Sequence, residues 1–133
     1  MDKKNYVFTY GTLRDDERNH YLLKDAILVA RQAWTTGELY DTGLGSPAMK
    51  QSSRGRVYGD LYLVSDEELQ KLDKLEGFHP GGKQNLFERM QQFVSHDSGE
   101  KLAYVYVISE KKESMLKTKI KQGDWKLYKF EKE

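Results

Sequence analysis

Between Val57 and Glu76 the chain changes its hydrophobic period almost without a break. Val57, Gly59, Leu61 and Leu63 fall on one side of an alternating run, with Arg56, Tyr58, Asp60 and Tyr62 on the other. That is the period-two signature of a strand. Ser65 and Glu68 then form an S-x-x-E capping box, opening a helix that carries Leu69, Leu72 and Leu75. Gly77 stops this helix, and Pro80 lies shortly beyond it. A chain organised around such a switch combines strands and helices in one packed unit.

The remaining segments are mostly strands. Tyr6 to Tyr10 (YVFTY) is a β-branched and aromatic run ended by Gly11, which reads as a buried strand entering a loop. A charged stretch, Arg14 to Asn19, precedes a short helical turn at Tyr21, Leu22 and Leu23. Ala26 to Tyr40 reads as two strands or one long bent one, with Gly37 at a bulge or close contact. Asp41 to Gly55, rich in Gly and Ser, reads as a long loop of the kind that often carries function. Leu86 to Val94 and Leu102 to Ile108 are strands joined through Asp97, Ser98 and Gly99. A Lys-rich helix at about Lys112 to Ile120 and an aromatic strand around Trp125 to Phe130 complete the reading. The expected fold is a single α+β domain over residues 1–133: a mixed, largely antiparallel, barrel-like sheet with two or three short helices.

Composition narrows the function classes. The 22 basic and 21 acidic residues leave a net charge of +1, so no global field draws the chain onto nucleic acid or an anionic membrane. The absence of cysteine removes thiol nucleophiles, zinc–thiolate sites and disulfides, and fits a reducing, cytoplasmic setting. No stretch approaches the roughly 20 apolar residues of a membrane span. His20, His79 and His96 lack metal-ligand spacing, and Gly43-Leu44-Gly45 lacks the third glycine of a dinucleotide fingerprint. The lysines between Lys111 and Lys121 are interrupted by Glu113, Ser114, Met115 and Leu116, as on a solvated amphipathic face.

Glu76 is out of place. Seven positions from Leu69 and four from Leu72, it shares their apolar stripe. It also stands in the last helical turn, where the negative end of the helix dipole disfavours a carboxylate. Both effects raise a pKa towards neutrality, as general acid/base work requires. The alternative is that the helix frays at Glu76 and the side chain turns to water.

Val7-Phe8-Thr9-Tyr10-Gly11-Thr12-Leu13-Arg14 resembles the strand and Y-G-[ST]-L loop of the gamma-glutamylcyclotransferase-like family, which includes the gamma-glutamylaminecyclotransferases and AIG2-like proteins. Further segments are similar in the same order. They are Asn19-His20, Gly37-Glu38-Leu39-Tyr40-Asp41 with Pro47-Ala48, Val57 to Tyr62, Leu72-Asp73-Lys74-Leu75-Glu76-Gly77, Phe87-Glu88-Arg89, Ala103 to Tyr106, and Gly123-Asp124-Trp125. The likeness covers nearly the whole chain.

The resemblance implies an intramolecular aminolysis. The α-amino group of a small gamma-glutamyl substrate attacks its own γ-carbonyl, closing 5-oxoproline and expelling an amine or peptide. Nucleophile and electrophile share one molecule, so neither an enzyme nucleophile nor a metal nor a cofactor is needed. Glu76 is implied as the acid/base. Tyr10, Gly11, Thr12 and Leu13 are implied as a loop whose N–H groups hold the substrate's anionic atoms. Tyr106 is implied at the substrate, with Pro47 and Ala48 as a wall, Asp124 holding a loop and Trp125 as packing. The rival reading is a binding module for a gamma-glutamyl or other small amino-acid ligand, but binding an anionic amino acid gains nothing from a buried carboxylate. Which gamma-glutamyl compound is used, and the oligomeric state, stay open at this level.

Overall fold

The structure is a computed structural model that describes residues 2–14, 17 and 19–132. Of the charged stretch after Leu13, Asp15, Asp16 and Arg18 lie outside the described residues. The strands are β1 (Asn5–Thr9), β2 (Ile27–Thr36), β3 (Glu38–Asp41), β4 (Pro47–Lys50), β5 (Arg56–Val64), β6 (Phe87–His96), β7 (Gly99–Ile108) and β8 (Thr118–Lys119). Two α-helices, α1 (Asp66–Leu75) and α2 (Trp125–Lys132), and two 3₁₀ turns, His20–Leu23 and Glu110–Met115, complete the described elements. Five strands form a closed barrel in the order β1-β5-β2-β6-β7. Every pairing is antiparallel except the seam, where Val7 lies beside Tyr104 in parallel and closes β7 onto β1. A second sheet, β4-β3-β8, lies alongside.

The expected α+β barrel is thus present, and its strands sort two cores by alternation. Phe8, Leu61, Val105 and Val107 point into the barrel, where Trp125 joins them. Val7, Tyr62, Val64 and Tyr106 point outwards and would face water were it not for α1, whose Leu69 and Leu72 cover them. Tyr62 is therefore buried, although alternation placed it on the polar side of its strand.

Three segments differ from the sequence reading. The stretch Asp41 to Gly55 contains strand β4, which pairs with β3 from Asp41↔Pro47 to Glu38↔Lys50. It is a hairpin with two tight ends rather than one long loop. The Lys-rich helix at Lys112–Ile120 is instead the 3₁₀ turn Glu110–Met115 followed by β8. The aromatic segment Trp125 to Phe130 is not a strand but helix α2. Its N-cap is Asp124, whose Oδ1 accepts the Leu127 N–H at 3.2 Å, a stronger local signal than aromatic β-propensity.

Two glycines set how closely the chain can pack. A β-carbon on Gly59 would lie 2.1 Å from the Thr9 carbonyl oxygen, so β1 and β5 meet only because that position is bare. Gly81, by contrast, has φ +75° with open space around it. Gly59→Ala is expected to cost more than about 4 kcal/mol, while Gly81→Ala should cost only about 1–2 kcal/mol for left-handed backbone. Urea midpoints check this, and a Gly59→Ala protein as stable as wild type would rule out the close approach of β1 to β5.

Candidate active site

Helix α1 places Glu76. Its capping box is formed: Ser65 accepts the Glu68 N–H, and Glu68 accepts the Ser65 N–H at 2.8 Å. At the other end the Gly77 N–H bonds Lys74 O at 3.3 Å and the Phe78 N–H bonds Asp73 O at 2.9 Å, with Gly77 at φ +69°. This is a Schellman ending. Glu76 is the C-cap but keeps helical angles (φ −82°, ψ −1°), and its N–H bonds Leu72 O at 3.0 Å. The helix therefore does not fray there, and the carboxylate stays on the inward stripe. That stripe is Leu69, Leu72, Asp73 and Glu76. Leu75, the third leucine of the helix, is 40% exposed at the rim.

Glu76 lines a cavity of about 230 Å³. The cavity also receives Tyr10, Gly11, Thr12, Leu13 and Tyr106, so the structure brings the expected loop and tyrosine together with Glu76. Pro47 forms a wall, packed so closely that a β-carbon on Gly11 would lie 2.8 Å from its Cγ. Ala48 is fully buried and does not line the space. Trp125 is core, and Asp124 ties the loop after β1 to α2 by accepting from Arg14 at 3.0 Å.

The carboxylate of Glu76 has no hydrogen bond or ion pair among the described residues. Enclosure by the cavity walls pushes its pKa up from 4.5 to about 7. Contact with cavity space and loss of bulk hydration coexist here, because Glu76 is only half-buried by surface yet surrounded by protein.

The loop after β1 shows the opposite polarity. Its carbonyls face the protein: Gly11 O accepts the Arg14 N–H at 3.0 Å, Thr12 O the Asn19 N–H at 2.8 Å, and Leu13 O lies 3.1 Å from His20 Nδ1. Asn19 also donates to Thr12 Oγ1 at 2.7 Å. The N–H groups of Gly11, Thr12 and Leu13 have no acceptor among the described residues. All three residues line the cavity, and successive backbone N–H groups in a loop of this kind suit an anion.

Both tyrosines of the site use their hydroxyls internally. Tyr10 donates to Tyr106 O at 2.6 Å and accepts the Met49 N–H at 3.2 Å. Tyr106 donates to Asp73 Oδ1 at 2.6 Å, and Arg89 Nη1 holds Asp73 Oδ2 at 2.6 Å. Burial first, with the Glu76 charge adding for Tyr10 and the Asp73 hydrogen bond adding for Tyr106, keeps both phenols protonated well above the ordinary range. Sequence reasoning quoted Asp73 and Arg89 only within motifs. The helical spacing i, i+3, i+4, i+7 from Leu69 was the signal that would have put Asp73 beside Glu76.

The closed barrel thus sets the carboxylate at the C-cap of α1 and the loop after β1 around one small cavity. The family model for gamma-glutamyl cyclotransferase, AIG2-like proteins matches residues 7–127, and the chain belongs to that family. It is 39% identical to the gamma-L-glutamyl-butirosin B gamma-glutamyl cyclotransferase of Niallia circulans, over 94% of this chain and 78% of that one. YkqA of Bacillus subtilis superposes with a TM-score of 0.77 at 31% identity, covering 96% of this chain but 42% of YkqA. A mouse AIG2-like protein, 19% identical over 88% of this chain and 86% of that one, shares the fold with a TM-score of 0.68.

The raised pKa makes stability pH-dependent with a definite sign. The folded-state value of about 7 exceeds the ordinary 4.5, so the stability linked to protonated Glu76 is full below about 4.5 and lost as pH rises through about 7. Glu76→Gln keeps the neutral form at every pH. It should stabilise the fold by on the order of 1–3 kcal/mol at pH 8 and by little at pH 4. Urea midpoints of the two proteins at both values test this. A variant less stable than wild type at pH 8 would mean that the carboxylate is held by a favourable partner.

Proposed function

We propose that the protein closes gamma-glutamyl amines or peptides to 5-oxoproline, with Glu76 as the proton relay. The observation carrying this is the Glu76 carboxylate in one small cavity with Gly11, Thr12 and Leu13, neither it nor their N–H groups having a partner among the described residues. Ionised Glu76 takes a proton from the substrate's α-ammonium. The freed amine attacks the γ-carbonyl carbon, the new C–N bond closes the five-membered ring, and the carbonyl oxygen becomes an oxyanion. The N–H groups of the loop suit that oxyanion or the α-carboxylate, being fixed before the reaction begins. The amide C–N bond then breaks. The two protons lost by the attacking nitrogen pass to the leaving nitrogen, which departs as an ammonium, and Glu76 returns to its starting state.

Holding both reacting groups of one molecule in a near-attack arrangement supplies much of the acceleration. The cavity's 230 Å³ lies below the usual size of a drug-scale pocket, which suits a glutamyl head with its leaving group outside.

Incubation with a panel of gamma-glutamyl amines, amino acids and peptides should release 5-oxoproline, detected by mass, from at least one of them. On that substrate kcat/KM should rise with pH through about 7, as the base form of Glu76 appears. Glu76→Gln should keep ligand affinity and lose roughly 10²–10⁴-fold in kcat. A variant with near-normal turnover would overturn the assignment of Glu76. Gly11→Ala must displace either Pro47 or the loop, and should cost about 3 kcal/mol in kcat/KM. An unchanged kcat/KM would count against the loop as the cradle.

A further inference from the structure

Tyr106 and Asp73 form a buried pair whose polarity is determined by chemistry. Both residues are under a tenth exposed. The 2.6 Å contact between Tyr106 Oη and Asp73 Oδ1 joins a phenol to a carboxylate that Arg89 pairs at its other oxygen. A carboxylate only accepts, so the phenol proton lies on the Asp73 side and the lone pairs of Oη remain unused. The Arg89 guanidinium is itself braced, 4.6 Å from the Tyr104 ring centre and 5.1 Å from that of Phe78. Phe78 is the residue whose N–H completes the Schellman ending of α1. Asp73 is thereby held from the sheet and from its own helix.

Tyr106 lines the cavity, and the capacity left at its Oη is that of an acceptor. It cannot donate to an oxyanion without breaking a short charge-assisted bond. It can accept from a cation. Tyr10 adds no competing donor, since its proton is engaged by Tyr106 O.

Resting on the gamma-glutamyl reading above, we propose that Asp73 is a positioning residue that fixes Tyr106 Oη as the acceptor for the substrate's α-ammonium, so that the site selects γ-acyl amides bearing a free α-amine. Acceptance by Tyr106 aims the nitrogen while Glu76 removes its proton. An amide side chain at position 73 would lose this selectivity. It can turn its NH₂ towards Oη, which frees the phenol proton to point into the cavity against the ammonium.

The test uses two ligands that differ in one group: a gamma-glutamyl amide and the matching glutaric acid monoamide, which lacks the α-amine. Affinities are measured by calorimetry in the Glu76→Gln protein, where the first ligand persists. Tyr106→Phe keeps the ring and removes only Oη. It should weaken the amino ligand about tenfold or more and leave the desamino ligand unchanged. Asp73→Asn should narrow the preference in the same direction, and Asp73→Glu should restore part of it if the longer carboxylate reaches Oη. Should Asp73→Asn fail to fold, the Tyr106→Phe comparison decides alone. Equal losses for both ligands would make the pair purely structural and overturn this assignment while the functional reading stands. Failure of the gamma-glutamyl amide to bind any version would overturn both.

Discussion

A buried arginine holds the end of the barrel together. Arg14 is 3% exposed, and its guanidinium reaches Asp124 at 3.0 Å, Gln32 at 2.6 Å and Asp60 at 3.7 Å. A charge taken from water to this depth is tolerable only with such partners, and removing one of them would leave the rest uncompensated. The four residues come from the loop after β1, the irregular middle of β2, strand β5 and the cap of α2. Gln32 sits in left-handed backbone (φ 56°) where the β2–β5 register shifts, a costly conformation for a residue with a β-carbon. Its side chain bonds both Arg14 and Asp124 there. Asp124 answers Arg14 and caps α2 with the same oxygen, so the helix that seats Trp125 in the barrel starts from this cluster. The loop Gly11 to Leu13 is thereby strung between a strand and an immobile side chain. Asn19 and His20 then secure its carbonyls.

Helix α1 makes a second division, between two carboxylates one turn apart. Asp73 and Glu76 both project inwards from the stripe begun by Leu69 and Leu72. Asp73 meets Arg89 and Tyr106 and is satisfied. Glu76, at the helix end, meets no partner among the described residues and is pushed towards neutrality by desolvation. Two acids on one face thus stand in opposite environments. The Schellman ending at Gly77 matters to this, because a glycine there lets the chain turn away at once and leaves Glu76 at the edge of the cavity instead of inside another turn of helix.

The sequence made this stripe legible because helical periodicity is a local signal and the capping box marks where to start counting. The barrel strands were legible for the same reason, and so was the family. What escaped were properties that depend on distant contacts. Tyr62 looked solvent-facing until α1 covered it. Trp125 to Phe130 looked like a strand because aromatic content was read without the Asp124 cap, whose orientation depends on Arg14, 110 residues away. Leu75, counted among the helix's apolar residues, is exposed at the rim and serves as a wall of the cavity, a placement that depends on distant contacts. Strand β4 was hidden because Pro47 and the surrounding glycines and serines signal loops, while its pairing with β3 is invisible locally.

The site's electrical layout follows from how these pieces meet. The cavity is lined by Gly11, Thr12 and Leu13, whose N–H groups have no acceptor among the described residues, and by Tyr106 and Glu76, the latter at the negative end of α1. A zwitterionic head group of the kind proposed would meet donors for its anionic atoms and acceptors for its cation. The larger depression of about 560 Å³, beside Lys50 and the Glu110–Met115 turn, has no such separation. Lys50 and Glu113, both in its lining, pair at 3.4 Å, and Lys83, Lys111, Lys112, Glu88 and Glu110 add charges of both signs. Volume alone would favour that depression, but opposite charges intermixed at solvent exposure exert little net field on a ligand. Segregated donors and acceptors in a space with little water exert a large one. The smaller cavity therefore has the stronger claim to the chemistry.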